Sequence, residues 1–500
     1  MKIPDAREQL QLIVSLATAG NRAAALAAAR DLTDKHVAAE AWRLLSEVNA
    51  NTQRWDEAFA DLEIALQHQP ESLPLRLRRA MLHEQRGDAA GALAELEVLA
   101  RENPDSPELL VHLGRALQYA GESARAETRV TDALQRWPAD AALHRLLVEL
   151  RWQRGAGETA TQVLESAIDA HPRELGLRLV AADLMRSLGA GPRALTLLER
   201  GLELAPGSIA FLTSIGVLLD GLERPADALR YLREAVARAP KSVQPRRNLV
   251  PTLLRTGAPQ EALQLVTELC AQFPDDQWLI AWRATAMRVL GDTRYTELCD
   301  YSRLVRSSML VPPAQFADIG AFNESFGREL GSLHHASRHP LAQSLRGGSQ
   351  TSRNLPANNP LVASFFAMID APIRDYISRL RDSDHLHPVD RRRSGGYRVA
   401  GSWSVRLEPG GFHINHVHPQ GWLSSAYYVA LPAATGDSAP RAGWLKFGEP
   451  GMSVAGCTPE HFVEPKPGML VLFPSYFWHG TVPFEDGGRR LTAAFDVVPG

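Results

Sequence analysis

A proline returns every 34 residues along the first half of this chain, at Pro70, Pro104, Pro138, Pro172, Pro206, Pro240 and Pro274. Alanine keeps the same step at Ala24, Ala58, Ala92, Ala126, Ala160, Ala194, Ala228 and Ala262. Fifteen positions in one register are beyond chance, and a fixed period of this length marks a stack of similar units. Each proline closes a unit because it cannot continue a helix. Apolar residues follow each alanine at i+4 and i+7, as in Leu62 and Ala65, Leu96 and Leu99, Val130 and Ala133, and Leu164 and Ala167. That spacing draws one apolar stripe along a helix. The small residue at its start lets a neighbouring helix approach closely.

The period resembles the tetratricopeptide repeat, a helix–turn–helix unit, over roughly residues 5–274. Trp42, Gly114 and Gly216 fit the first-helix pattern of that family, while most units lack its Trp, Gly and Tyr. The resemblance implies an all-α solenoid whose concave face binds a protein or peptide. A bare scaffold, or a surface for self-association, is the alternative use of such an array. Beyond Pro274 the pattern decays: residues 278–290 still read as a helix, but Thr296 stands where the next alanine is due. Residues 275–305 are expected to form a capping helix pair that hides the end of the stack.

Five hundred residues exceed what one core supports, so at least two domains are expected. A net charge of −3 and the absence of any long Lys/Arg run argue against nucleic acid as a partner. Cys270, Cys299 and Cys457 are odd in number and far apart, which excludes a disulfide framework and suits a reducing, cytoplasmic setting. The opening segment carries Asp5 and Glu8 where a secretory signal would be basic, so no signal peptide is expected. No run of 18 apolar residues is present to span a membrane.

Val311-Pro312-Pro313 marks a change of texture, and we divide the chain into an array over 1–305 and a second domain over 306–500. Residues 316–334 and 360–380 read as helices, the second interrupted at Pro372. The glycine-rich stretch 345–351 reads as a loop, without the spacing of a P-loop or a dinucleotide fingerprint. Arg391-Arg392-Arg393 reads as a solvated turn. From Gly395 onward, short strands are expected at 402–407, 411–418, 423–430, 444–447, 469–473 and 490–498, a sandwich or barrel pattern. Alternation through 413–418 puts His416 and His418 on one face, about 7 Å apart along a strand. His413 and Asn415 then face away, and His413, His461, Trp422 and Cys457 carry no pattern beyond surface or packing.

His416 and His418, with His479 further on, are imidazoles that suit a first-row metal with open positions. The aromatic run Tyr476-Phe477-Trp478 ahead of His479 would keep water away. Arg490 and Thr492 share a strand face, and a guanidinium beside a hydroxyl clamps a carboxylate. Tyr427 and Tyr428 lie on a strand and are expected to face opposite ways, one to the core and the other to the site or to packing, while Arg346 and Gln350 either reach a cosubstrate or substrate or serve the loop.

The segments 402–432, 465–484 and 489–498 resemble the Fe(II)/2-oxoglutarate-dependent dioxygenases, built on a double-stranded β-helix or jelly roll. The resemblance runs over roughly 340–500 and includes bacterial oxygenases with an N-terminal tetratricopeptide array and a Leu-Arg-Gly-Gly loop. It implies Fe(II) on His416, His418 and His479, 2-oxoglutarate held at Arg490 and Thr492, and hydroxylation of a protein or peptide side chain. One departure stands out: the family's His-x-Asp/Glu reads here as His416-Val417-His418. Either three histidines bind, or His416 and His479 bind with water while His418 acts behind them; three imidazoles also suit zinc. Two other functions compete. A cupin-like metalloenzyme would not use 2-oxoglutarate; Gly410 and His416-x-His418 fit its motif, but Trp422 and Leu423 stand where its glutamate belongs. A non-catalytic scaffold with an inactive β domain is the third.

Overall fold

The computed structural model describes residues 5–500 except 53, 342, 352–353, 383–385, 433–440 and 486–487. The first four residues of the opening segment therefore lie outside the described chain. Helix pairs run from Ala6–Thr18 and Arg22–Arg30 to Pro259–Gln272. From Ala58 to Ala262 the recurrent alanines are all fully buried. Ala58, Ala92 and Ala126 each stand fourth in their helices, Trp55–His68, Ala89–Glu102 and Ser123–Arg136. The first unit departs from this register. Asn21 caps its second helix, so the fourth place falls on Ala25, which is buried, and Ala24 is only half-buried.

The array does not end on a free cap. Gln277–Val289 forms as expected, but its partner breaks into Arg294–Leu298 and Tyr301–Leu304. The C-terminal part covers both. Trp282 meets Trp478 edge-on at 5.1 Å, and the Trp478 indole donates to Thr285 at 3.0 Å. Arg288 donates to the Gly448 carbonyl at 2.9 Å, and the Tyr476 hydroxyl to that of Leu298 at 2.7 Å. One apolar core consequently runs from Leu232 in the array to Val497 near the C-terminus. A second seam lies along the array's turns. Gly87, Gly121 and Gly155 hold the same place in successive units at φ between 82° and 100° and approach Leu355, His335 and Ser337. At Gly87 a Cβ would stand 2.8 Å from the Leu355 carbonyl, so only glycine fits.

Among the described residues nine strands follow: β1 Arg306–Met309, β2 Leu345–Gln350, β3 Tyr397–His413, β4 Leu423–Ala430, β5 Leu445–Phe447, β6 His461–Val463, β7 Met469–Pro474, β8 His479–Thr481 and β9 Arg490–Pro499. They build two antiparallel sheets, one ordered β1-β7-β4-β9-β3-β2 and one ordered β6-β5-β8, as a jelly roll requires. Helices Ile319–Ser332 and Pro360–Ser378 back the large sheet: Phe365 packs against Tyr427 and Phe495 at 5.2 and 6.1 Å.

Several expectations need correction. The stretch 345–351 is not a loop: β2 pairs with β3, with a bulge at Arg346/Gly348. Gly348 lies so close to the Arg406 carbonyl that a Cβ would stand 2.1 Å from it, so glycine here serves a backbone approach. Residues 402–407 and 411–413 belong to one long strand that ends at His413, leaving 414–418 irregular apart from one bridge at His416. Pro372 does not interrupt its helix; the buried face Phe365, Ile369, Ile373 and Tyr376 runs past it, and packing outweighs one missing hydrogen bond. Arg391-Arg392-Arg393 is no solvated turn. Arg391 pairs with Asp275 at 2.9 Å, Arg392 donates to the Gly421 carbonyl at 2.8 Å, and Arg393 to that of Leu380 at 2.9 Å. Through these bonds Arg391 ties the two parts of the chain together, while Arg392 and Arg393 brace the C-terminal part itself. No helix among the described residues is long and apolar enough to cross a membrane.

Candidate metal centre

The backbones of His416 and His479 exchange hydrogen bonds of 2.9 and 3.1 Å, an isolated bridge that sets the two rings 4.2 Å apart. His418 sits 5.2 Å from the His416 ring and 5.1 Å from that of His479. One nitrogen from each of the three rings lies within 4.8 Å of the others. The opposite nitrogen of every ring is already engaged. His416 Nδ1 is 2.8 Å from the Ile414 carbonyl, His479 Nδ1 is 2.9 Å from that of Phe477, and His418 Nδ1 is 2.5 Å from Asp496 Oδ1. Acceptors at Nδ1 keep the proton there and turn each Nε2 lone pair inward, the orientation that metal-binding histidines need. Burial, then the neighbouring His418, pushes His416 down to about 3, and burial with both neighbours holds His479 well below its ordinary value. Neutral imidazoles are the form that binds a cation.

Asp496 answers the missing carboxylate. It lies behind His418 and also accepts from Ser424 at 2.8 Å. The sequence carried its signal: Arg490, Thr492, Ala494 and Asp496 alternate along β9, and all four line one cavity. Ser344 went unnoticed too; its hydroxyl is 3.0 Å from His413 Nδ1 and 3.3 Å from His416 Nε2. His413 was expected to face away, yet it stacks on His416 at 5.7 Å and lines the same cavity, because the alternation stops where β3 ends.

Arg490 is 3% exposed. Its guanidinium donates to Thr481 at 3.1 Å and lies 5.1 Å over the Tyr428 ring. Its Nε has no partner among the described residues. A buried cation facing hydroxyls and a ring lacks the anion that would offset its desolvation. Thr492 stands beside it and bonds the Val405 carbonyl only at 3.5 Å, leaving its hydroxyl available. Tyr427 turns the other way, to Asn323 at 2.6 Å. The donor set and the orphaned guanidinium fit a divalent metal and an acid bound beside it.

Residues 401–496 match a family described as "Putative 2OG-Fe(II) oxygenase". Two tetratricopeptide-repeat models match residues 10–72 and 112–174, and 52–110 and 221–283. Over these spans the chain is similar to tetratricopeptide repeats in its first part and to that oxygenase family at residues 401–496. The oxygenase match contains His416, His418, His479, Arg490, Thr492 and Asp496, and its family uses Fe(II) and 2-oxoglutarate. Among solved structures, the chain is similar to a tetratricopeptide repeat protein from Parabacteroides merdae at 15% identity, over 46% of this chain and 90% of that one, with a TM-score of 0.35. It is also similar to yeast Tom70 at 14% identity, over 60% of this chain and 67% of that one, with a TM-score of 0.40. No curated protein matches the sequence.

Proposed function

We propose that the chain is an Fe(II)/2-oxoglutarate-dependent dioxygenase that hydroxylates a side chain of a protein or peptide recruited by the tetratricopeptide array. The observation that supports it most is the convergence of three Nδ1-anchored imidazoles in the cavity that also holds the buried Arg490, whose Nε has no partner among the described residues. His416, His418 and His479 would hold the metal as three ligands, and Asp496 would orient His418 from behind. Arg490 and Thr492 would grip the distal carboxylate of 2-oxoglutarate. When bound, the iron would let O2 oxidise both partners, one oxygen atom entering the substrate C–H bond as hydroxyl and the other entering succinate as 2-oxoglutarate loses CO2. Phe473, at 4.7 Å from the His479 ring, and Phe447, at 6.4 Å, give the metal face an apolar wall against water. We place the domain boundary at 305/306, where β1 joins the large sheet. A cytoplasmic setting accords with three free cysteines.

The test is anaerobic addition of Fe(II) and 2-oxoglutarate to the full chain. A visible charge-transfer band and oxygen-dependent succinate formation are expected. Absence of both would leave a scaffold. A metal-bound protein without the band would favour chemistry that does not use 2-oxoglutarate.

A further inference from the structure

The cavity of about 1110 Å³ at the metal centre has a wall that the oxygenase domain does not supply. Arg115, Gln118, Tyr119, Glu149, Gln153 and Arg186 come from the array. They lie towards the C-terminal ends of the first helices of three successive units, Pro107–Tyr119, Ala141–Gln153 and Leu175–Ser187. Tyr119, Gln153 and Ser187 are 34 residues apart, as are Arg115 and Glu149, so one helix position faces the metal centre in each unit. The three helices pack on one another in order. With neighbours about 8–10 Å apart, their ends extend over roughly 20 Å, the length of about six extended residues. Gln118 donates to Gln153 at 2.8 Å, so amide groups from adjacent units already lie side by side on this wall.

The charge of the cavity is one-sided. Five arginines (115, 186, 346, 398 and 490) line it against two carboxylates, Glu149 and Asp496, in a chain whose net charge is −3. Asp496 is taken by His418, and Arg186 by Asp183 at 3.0 Å. Arg346 donates only to carbonyls among the described residues, those of Gln343 and Leu345 at 2.7 Å. No salt bridge among the described residues engages Arg398, which is half-buried, while the exposed Arg115 feels Glu84 and Glu149 electrostatically without pairing to either in a salt bridge. Guanidinium groups held this way suit carboxylates, and a low-dielectric cleft focuses their field.

We infer that the cleft between array and oxygenase domain is the substrate channel, and that it takes an extended acidic peptide, with Arg115, Arg346 and Arg398 reading its carboxylates. This rests on the proposed function, but its test is separate from turnover. A short fluorescein-labelled peptide alternating aspartate and alanine, capped at both ends, is titrated with the full chain without metal, and anisotropy is read. Binding is expected, with a lysine–alanine counterpart failing to bind and added salt weakening the complex. Arg115→Gln and Arg346→Gln should each weaken it about tenfold, the loss of one charge-assisted contact, while Arg346→Lys retains part of it. Both variants must keep the Fe(II)/2-oxoglutarate band; a band retained without peptide binding refutes the channel alone. Equal binding of the lysine peptide, or insensitivity to both glutamine variants, would overturn the inference. Displacement by free N-acetylaspartate at similar concentration would overturn the peptide as occupant.

Discussion

The array and the oxygenase domain hold their shapes by contacts of different reach. Within the array, each helix packs on partners one or two helices away, such as Trp55–His68 on Lys35–Asn51. In the C-terminal domain, the candidate metal centre is assembled from residues far apart: His416 meets His479 through one backbone bridge, and His418 leans on Asp496 across the sheet. A defect in a stack stays near its unit. A defect in the centre removes a ligand or a partner that nothing nearby replaces.

The largest expected effect follows from that contrast. His479→Ala removes a buried donor and a ring packed against Phe473. Iron affinity should fall by more than about a hundredfold, beyond the ten- to hundredfold that loss of an outer partner costs. Competition with a chelator measures it, with circular dichroism showing the helices intact. Retained affinity would reject the ligand set. Arg490→Ala should raise the 2-oxoglutarate KM about a hundredfold while iron binding changes little, since a buried charge contact is worth at least about 2 kcal/mol. Equal loss of both would mean that Arg490 supports the fold rather than the acid.

Asp496→Asn keeps the size of the side chain and removes the charge behind His418. Iron affinity should fall ten- to a hundredfold. No change would mean that His418 needs no carboxylate to hold it, and would favour binding by His416 and His479 alone. The array's counterpart is Gly216→Ala, whose new Cβ would stand 2.5 Å from Leu232. Denaturant unfolding should show a loss of about 1–3 kcal/mol from overpacking, with iron affinity unchanged. If iron binding fell too, the two regions would be coupled more tightly than their contact patterns indicate.

How much of this was legible in the sequence follows the same division. The array announced itself because its information is local: Ala58 and Pro70 repeat with the structure they specify. Strand β4 fell between the breaks expected to bound it, at Leu423–Ala430. The glycines of β2 hid a strand, because Gly347, at φ 66°, and Gly348 serve a bulge rather than a turn. The three histidines converge, but not through the expected alternation, since 414–418 is not a strand and His413 shares their cavity. Asp496 shares the face of β9 that alternation gives Arg490 and Thr492, yet no motif in the sequence sets it apart. The wall of Arg115 and Gln153 could not be read, because it acquires meaning only when the array docks on the oxygenase domain.

The smallest effect sets a half-buried histidine of the C-terminal domain, His334, against a buried one of the array, His144. His334 bridges Ser349 at 2.8 Å and Ser404 at 3.1 Å, joining the helix Ile319–Ser332 to β2 and β3. Burial, then Arg406, pushes its pKa down to about 4. His144 in the array bonds the carbonyl of the recurrent Pro138 at 2.8 Å, and burial lowers it as well. Between about pH 6.5, where an unfolded histidine titrates, and the lower folded value, only the unfolded chain binds the proton. Stability is then fully present above that window and declines as the pH falls through it. His334→Gln should therefore flatten the fall in thermal midpoint between pH 6.5 and 4, and shift the transition reported by tryptophans of the oxygenase domain. His144→Gln should flatten it less and move mainly the helical signal at 222 nm (about the usual helix band). If both variants altered both signals alike, the shared core from Leu232 to Val497 would make array and oxygenase domain one cooperative unit, and the contrast between local and long-range assembly would not extend to unfolding.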